Sequence, residues 1–264
     1  MKKYYALILG ASSGFGKSIS LALARDGVNI IGVHLDRATT MPEVTQLISD
    51  IRSTGSEAHF FNSNAADSVK REEIISRIEE IFSKDKNSTL KVFVHSLAFG
   101  TLKPFFADSP EDAINQKQIE MTLDVMANSL VYWSQAIIRN KLMQSGGKIY
   151  AMTSSGGSRQ IEFYGAVSAA KACIESYIRQ LAMELGKSGI SANSIRAGVT
   201  ETPALLKIPN SKKIIDNAIQ RNPQKKLTQP GEIADFIVDN YKRDSHWMTG
   251  NIINLDGGES VVEL

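Results

Sequence analysis

Seven short apolar runs recur along the chain, at Tyr4–Gly10, Val28–His34, Glu57–Asn62, Leu90–His95, Gly147–Thr153, Ile190–Arg196 and Asn251–Leu255. Longer stretches with helical spacing separate them, among them Gly16–Asp26, Val69–Phe82, Asp112–Leu142 and Ala166–Gly186. Runs that are apolar at consecutive positions suit strands buried on both faces. Alternated with amphipathic helices, they predict an α/β fold with a parallel sheet covered on both sides. Right-handed crossovers make such a sheet doubly wound. No internal repeat or Pro/Ser-rich linker breaks the pattern, and 264 residues suit one large domain.

Composition excludes several classes. A 42% apolar, 22% charged chain is neither disordered nor collagen-like. A formal net charge of +2 gives no global reason to expect a nucleic-acid partner. The one cysteine, Cys173, sits at helical spacing among apolar residues and reads as packing in a reducing compartment. Met1-Lys2-Lys3 followed by Tyr4–Leu9 has the outline of a signal peptide, but its apolar run is too short for one. No run approaches the ~20 residues of a spanning helix. The expected protein is cytoplasmic, without membrane or metal.

In doubly wound sheets ligands bind beyond the carboxyl ends of the strands. There the first run leads into Gly10-Ala11-Ser12-Ser13-Gly14-Phe15-Gly16 and then a helix. Glycines allow tight turns and close approach, and the free N–H groups of a helix N-terminus favour a pyrophosphate. Read alone, this is either a dinucleotide cradle or a plain βα turn.

The spacing Gly-x-x-x-Gly-x-Gly resembles that of the short-chain dehydrogenase/reductases, and the resemblance continues through nearly the whole chain. It implies a single-domain Rossmann fold and a nicotinamide nucleotide. By that likeness Asn64-Ala65 lies at the adenine, and Ser96-Leu97-Ala98 touches the adenosine ribose through its backbone. Gly198, Thr200 and Thr202 belong to the segment over the nicotinamide, and Asp256-Gly257-Gly258 resembles the family's closing motif. The tip of the second run carries His34 and Arg37, which suit a 2′-phosphate, beside Asp36, which suits ribose hydroxyls. NADPH is the expected cofactor, with NADH the alternative.

Tyr164 precedes Lys171 by seven residues, where most of the family has four. This Tyr-x6-Lys spacing resembles the enoyl-[acyl-carrier-protein] reductase branch, as do His95-Ser96-Leu97 and Ala197-Gly198. Offsets of four and seven share a helix face, and the longer one moves the phenol by ~4.5 Å along the axis. That suits the enolate oxygen of a thioester, on which charge appears when hydride reaches Cβ. The resemblance implies Tyr164 as enolate stabiliser and Lys171 as an ammonium that binds ribose and lowers the phenol pKa; Ser154 or Ser155, both after the fifth run, is a candidate substrate contact, with Ser154 preferred. Met126 stands where many relatives carry a catalytic Asn, and Asn128, ~200° round a helix, is no substitute. The NADPH-using type is the nearest match.

From Pro203 to Lys226 the core pattern lapses, with six bases and the single acid Asp216. This segment reads as a lid that closes over substrate, its charge either docking an acidic acyl carrier protein or simply solvated. The helices at Asp112–Leu142 and Ala166–Gly186 would pair across subunits in a homotetramer. The expected reaction is reduction of the Cα=Cβ bond of trans-2-enoyl thioesters on acyl carrier protein in fatty acid biosynthesis. The alternative is a short-chain carbonyl reductase such as a 3-oxoacyl-[acyl-carrier-protein] reductase.

Overall fold

The computed structural model describes residues 2–263; Met1, which opens the charged terminus, lies outside them. Seven strands, β1 (Lys3–Leu9), β2 (Asn29–His34), β3 (Ala58–Asn62), β4 (Ser88–His95), β5 (Met143–Thr153), β6 (Ser191–Ala197) and β7 (Ile252–Leu255), form one sheet. Its order is β3-β2-β1-β4-β5-β6-β7, and every neighbouring pair is parallel. The chain order reverses between β1 and β4, which opens a crevice at their carboxyl ends. Tyr5 to Leu9 are wholly buried, because both faces of β1 meet helices.

On one face pack α1 (Gly14–Arg25), α2 (Met41–Ser53) and α8 (Pro230–Tyr241), which bury Ile19, Leu23, Leu47 and Ile233 against the sheet. The start of α8 is set by Pro230 at its first turn and a capping box between Gln229 and Glu232. On the other face lie α3 (Ser68–Ser83), α4 (Gln116–Leu123), α5 (Ser129–Arg139) and α6 (Gly165–Leu185). Their core includes Leu7, Phe93, Leu130, Trp133, Ile174 and Ile178. The remaining α-helix, α7 (Ser211–Arg221), lies within the segment read as a lid.

The expected helix at Asp112–Leu142 is shorter and interrupted. Its true start is fixed by a capping box in which Asn115 and Gln118 exchange side-chain hydrogen bonds with each other's backbone N–H. Lys141 then turns the chain in a left-handed conformation, φ 54°, before β5. Between α4 and α5, Asp124–Asn128 form a π-helical turn that buries Val125, Met126 and Ala127. Such wide turns are frequent at functional sites. Ser129 follows, its hydroxyl donating to the Val125 carbonyl at 2.7 Å.

Trp133 is fully buried on α5, and its indole N–H donates to the Ala65 carbonyl at 2.8 Å. That bond ties the loop after β3 to the helical layer. Trp133→Ala removes the largest buried side chain and leaves that carbonyl without its donor. We expect a loss of about 3–5 kcal/mol in urea unfolding, and a smaller loss for Trp133→Phe.

Candidate active site

The residues after β1, β2, β3, β4, β5 and β6 meet at one edge of the sheet. At the centre, Gly10 has φ 80° and its α-carbon faces the Ser96 carbonyl oxygen, where no side chain fits. Gly16 is likewise pressed against the Gly10 carbonyl. Gly14 adopts φ 51° beneath the methyl of Thr202, so the segment after β6 closes on the glycine turn. Ser13 caps α1 in an extended conformation without a side-chain hydrogen bond to its backbone, and so leaves the helix N–H groups to a ligand. Phe15 turns the other way and packs on the core beside α1.

At the tip of β2, His34 is buried and its Nδ1 lies 2.9 Å from Asp36 Oδ2. Thr40 donates to the other oxygen at 2.8 Å, and the Ser12 hydroxyl reaches the same carboxylate from the glycine turn. Burial opposes ionisation of Asp36, but the hydrogen bonds from Ser12, Thr40 and His34 outweigh it and hold the carboxyl below its ordinary value. Arg37 is exposed. Asn64 is exposed and accepts from the Ala66 N–H, while Ala65 is buried. Ser96 bonds through its N–H to the Leu9 carbonyl at 3.0 Å, with Leu97 against Gly10 and Ala98 exposed.

The segment after β6 is held from below. Gly198 donates to Leu255, and Val199 N–H donates to the buried Glu259 carboxylate at 3.0 Å. Thr200 is buried and donates to the Gly198 carbonyl; the Thr202 hydroxyl accepts from Leu205 N–H. Asp256 caps the closing Gly257-Gly258 turn through Gly258 and Ser260 N–H groups.

Tyr164 is the cap residue of α6, and its ring lies over Gly156, whose α-carbon leaves no room for a side chain. Burial pushes the phenol pKa up, opposed by a hydrogen bond with Ser154. The lowering influence expected of Lys171 is not what acts on this phenol: Ser154 supplies it. Two turns into α6, Lys171 is buried and donates from Nζ to the Met152 carbonyl at 2.8 Å. Burial pulls its ammonium down to about 8, opposed by Glu175.

His95 is fully buried, with Nε2 at 2.8 Å from the Ser129 hydroxyl and Nδ1 without a partner among the described residues. Burial, with the Lys171 charge adding to it, lowers its pKa to about 3, so it is neutral at physiological pH. Asn128 accepts from the Tyr177 hydroxyl at 2.9 Å, and Met126 points at Gly100. No amide takes the position that Met126 holds.

Two features escaped the sequence. Glu175 lies one turn beyond Lys171, a spacing visible in the chain, but its partners Thr153 and Arg196 come from β5 and β6. Phe105 packs on Gly165 beside Tyr164, and Phe99 and Phe106, also in the loop after β4, are exposed like Phe105. No periodicity marks that loop.

The sequence model of one protein family, described as Enoyl-(Acyl carrier protein) reductase, matches residues 10–260. The chain belongs to the short-chain dehydrogenase/reductase family, on its enoyl-reductase-like branch. Among curated members, it is 25% identical to 1-cyclohexenylcarbonyl-CoA reductase of Streptomyces collinus, over 99% of this chain and 88% of that one. It is 27% identical to (3R)-3-hydroxyacyl-CoA dehydrogenase of Canis lupus familiaris, over 98% and 96%. An enoyl-[acyl-carrier-protein] reductase (NADH) structure from Aquifex aeolicus shares the fold with a TM-score of 0.81 at 20% identity, covering 100% of this chain and 98% of that one. This dehydrogenase/reductase is thus an oxidoreductase by family. Among the described residues, no helix is long and apolar enough to cross a membrane.

The buried neutral His95 makes stability pH-dependent. Its folded pKa lies below the unfolded value, so the unfolded chain binds more protons between about pH 6.5 and 3, and stability falls as pH drops through that window. We expect His95→Gln to show a shallower loss of urea stability between pH 7 and pH 4. The difference should be on the order of 2 kcal/mol.

Proposed function

We propose that this protein reduces the Cα=Cβ bond of trans-2-enoyl thioesters, delivered on acyl carrier protein in fatty acid biosynthesis, with a reduced nicotinamide nucleotide. The observation that carries this reading is the placement of the Tyr164 phenol at the cap of α6, about two helical turns from Lys171.

The glycine turn fits such a nucleotide. Gly10, Gly14 and Gly16 keep side chains out of the turn, and the α1 N-terminus offers uncommitted N–H groups to a pyrophosphate. Ser12, Ser13 and Phe15 complete the turn; Asn64, Ala65, Ser96, Leu97 and Ala98 would border the adenosine, and Gly198, Thr200 and Thr202 the nicotinamide. The bound nucleotide supplies the hydride. At the ribose corner, the ionised Asp36 favours two hydroxyls over a 2′-phosphate. This supports NADH, against the NADPH preference drawn from His34 and Arg37, because His34 is already turned onto Asp36.

The chain's own groups then divide the work. The phenol, kept protonated by burial, donates to the thioester oxygen as enolate charge develops there. Ser154 fixes the direction of that phenol. The Lys171 ammonium holds the nucleotide ribose, a role it loses as pH rises through about 8. Phe99, Phe105 and Phe106 offer apolar surface to the acyl chain. On the lid, Lys226 pairs with Glu232, while Lys207, Lys212 and Lys213 are exposed and unpaired among the described residues, ready for an acidic carrier. In this reading α4, α5 and α6 bury their outer faces in a homotetramer.

A second reading, carbonyl reduction, draws on the Ser154–Tyr164 contact, which equally suits a ketone oxygen. Nucleotide oxidation with crotonyl and acetoacetyl thioesters separates the two. We expect turnover of crotonyl thioester and at least a 100-fold loss in Tyr164→Phe; turnover of the β-keto substrate alone favours the second reading. NADH should bind at least about 10-fold more tightly than NADPH, and Asp36→Ser should narrow that ratio.

A further inference from the structure

Glu175 is a buried carboxylate that the reaction outlined above does not use. Its side chain is 9% exposed, one helical turn beyond Lys171 on α6. A single oxygen, Oε1, accepts from Arg196 Nη2 of β6 at 3.0 Å and from the Thr153 hydroxyl of β5 at 2.9 Å. The same carboxylate borders Gly157, where a side chain would stand 2.9 Å from Oε1. Thr153 is flanked by Met152, whose carbonyl receives Lys171, and by Ser154, which contacts Tyr164. The Gly156–Gly157 turn is the floor for the Tyr164 ring. The end of β5 and the glycine turn beneath Tyr164 therefore both meet this one carboxylate.

A buried ion pair costs desolvation that its attraction barely repays, so its presence here calls for a reason beyond stability. We propose that Glu175 is a positioning residue whose charge, one helical turn away, keeps Lys171 in its ammonium form, and that Arg196 moderates this by partly neutralising Glu175. The proposal rests on the role given above to Lys171 in holding the nucleotide.

The groups around Lys171 leave few alternatives. His95, from β4, is neutral and adds no attraction. Tyr164, at the head of α6, keeps its proton. Met152 offers a neutral carbonyl. Glu175 is the carboxylate that opposes the burial of Lys171, and Arg196 is the cation that faces Glu175. Removing either member of the pair should therefore move Lys171 in opposite directions, which a purely structural brace would not do.

The test is the pH dependence of NADH binding, read by nucleotide fluorescence without substrate. In the unaltered protein, binding should weaken as pH rises through about 8. In Glu175→Gln the midpoint should fall by about one pH unit. In Arg196→Gln it should rise, and Glu175→Asp should restore part of the Gln variant's shift. Lys171→Met should abolish the transition. Unmoved midpoints in both single variants, with affinity lowered uniformly, would overturn the proposal while leaving the role of Lys171 intact. A flat profile in the unaltered protein overturns both. Shifted midpoints in a protein that fails to reduce enoyl thioesters uphold the proposal and reject only the substrate assignment. Should Glu175→Gln fail to fold, the upward shift in Arg196→Gln decides alone.

Discussion

The Ser96 carbonyl fills the space that a side chain at Gly10 would need, and this close contact fixes the relation between β1 and β4. It lies where the strand order reverses, so everything above the sheet takes its position from it. Gly16 presses on the Gly10 carbonyl in turn, which sets the angle at which α1 leaves the sheet. A parallel sheet with both faces covered leaves its strand ends as the open polar surface. The glycines turn that surface into a crevice with backbone donors, and they do so without any charged side chain.

Charge enters the crevice sparingly, and each charge is braced. Asp36 is held by three donors, Lys171 by one carbonyl with the Glu175 charge one turn away, and Glu175 by Arg196 and Thr153. In a low-dielectric site an unbraced charge would surrender its proton state. His95 illustrates the other solution, since it stays neutral and is tied to Ser129. The π-helical turn brings Ser129 there and, with the same distortion, buries Met126 against Gly100. In the proposed reaction the site would work with a phenol, a serine hydroxyl and one ammonium.

Much of this was legible in the chain. The seven strands lie within a few residues of the apolar runs, because burial on both faces writes itself into consecutive residues. The glycine turn was legible because glycine spacing carries backbone geometry directly. Asp112–Leu142 misled because its apolar residues continue the helical period through the turn before Asn115 and through the π segment, neither of which periodicity registers. Arg196 was hidden for another reason. Its meaning depends on β6 lying beside β5, a long-range fact that no local pattern holds. The same holds for Asp36, whose bonds from Ser12 and Thr40 come from outside the second run, so that run's tip by itself pointed to a 2′-phosphate through His34 and Arg37.

The two tryptophans of the chain sit in contrasting surroundings. Trp133 is dry and bonded to the Ala65 carbonyl, in the loop that would border a bound adenine. Trp247 is 89% exposed in the segment that leads into the edge strand β7. The protein therefore carries its own pair of optical gauges: a blue-emitting indole wired to the nucleotide end of the sheet, and a red-emitting one that senses only the solvent at the far end.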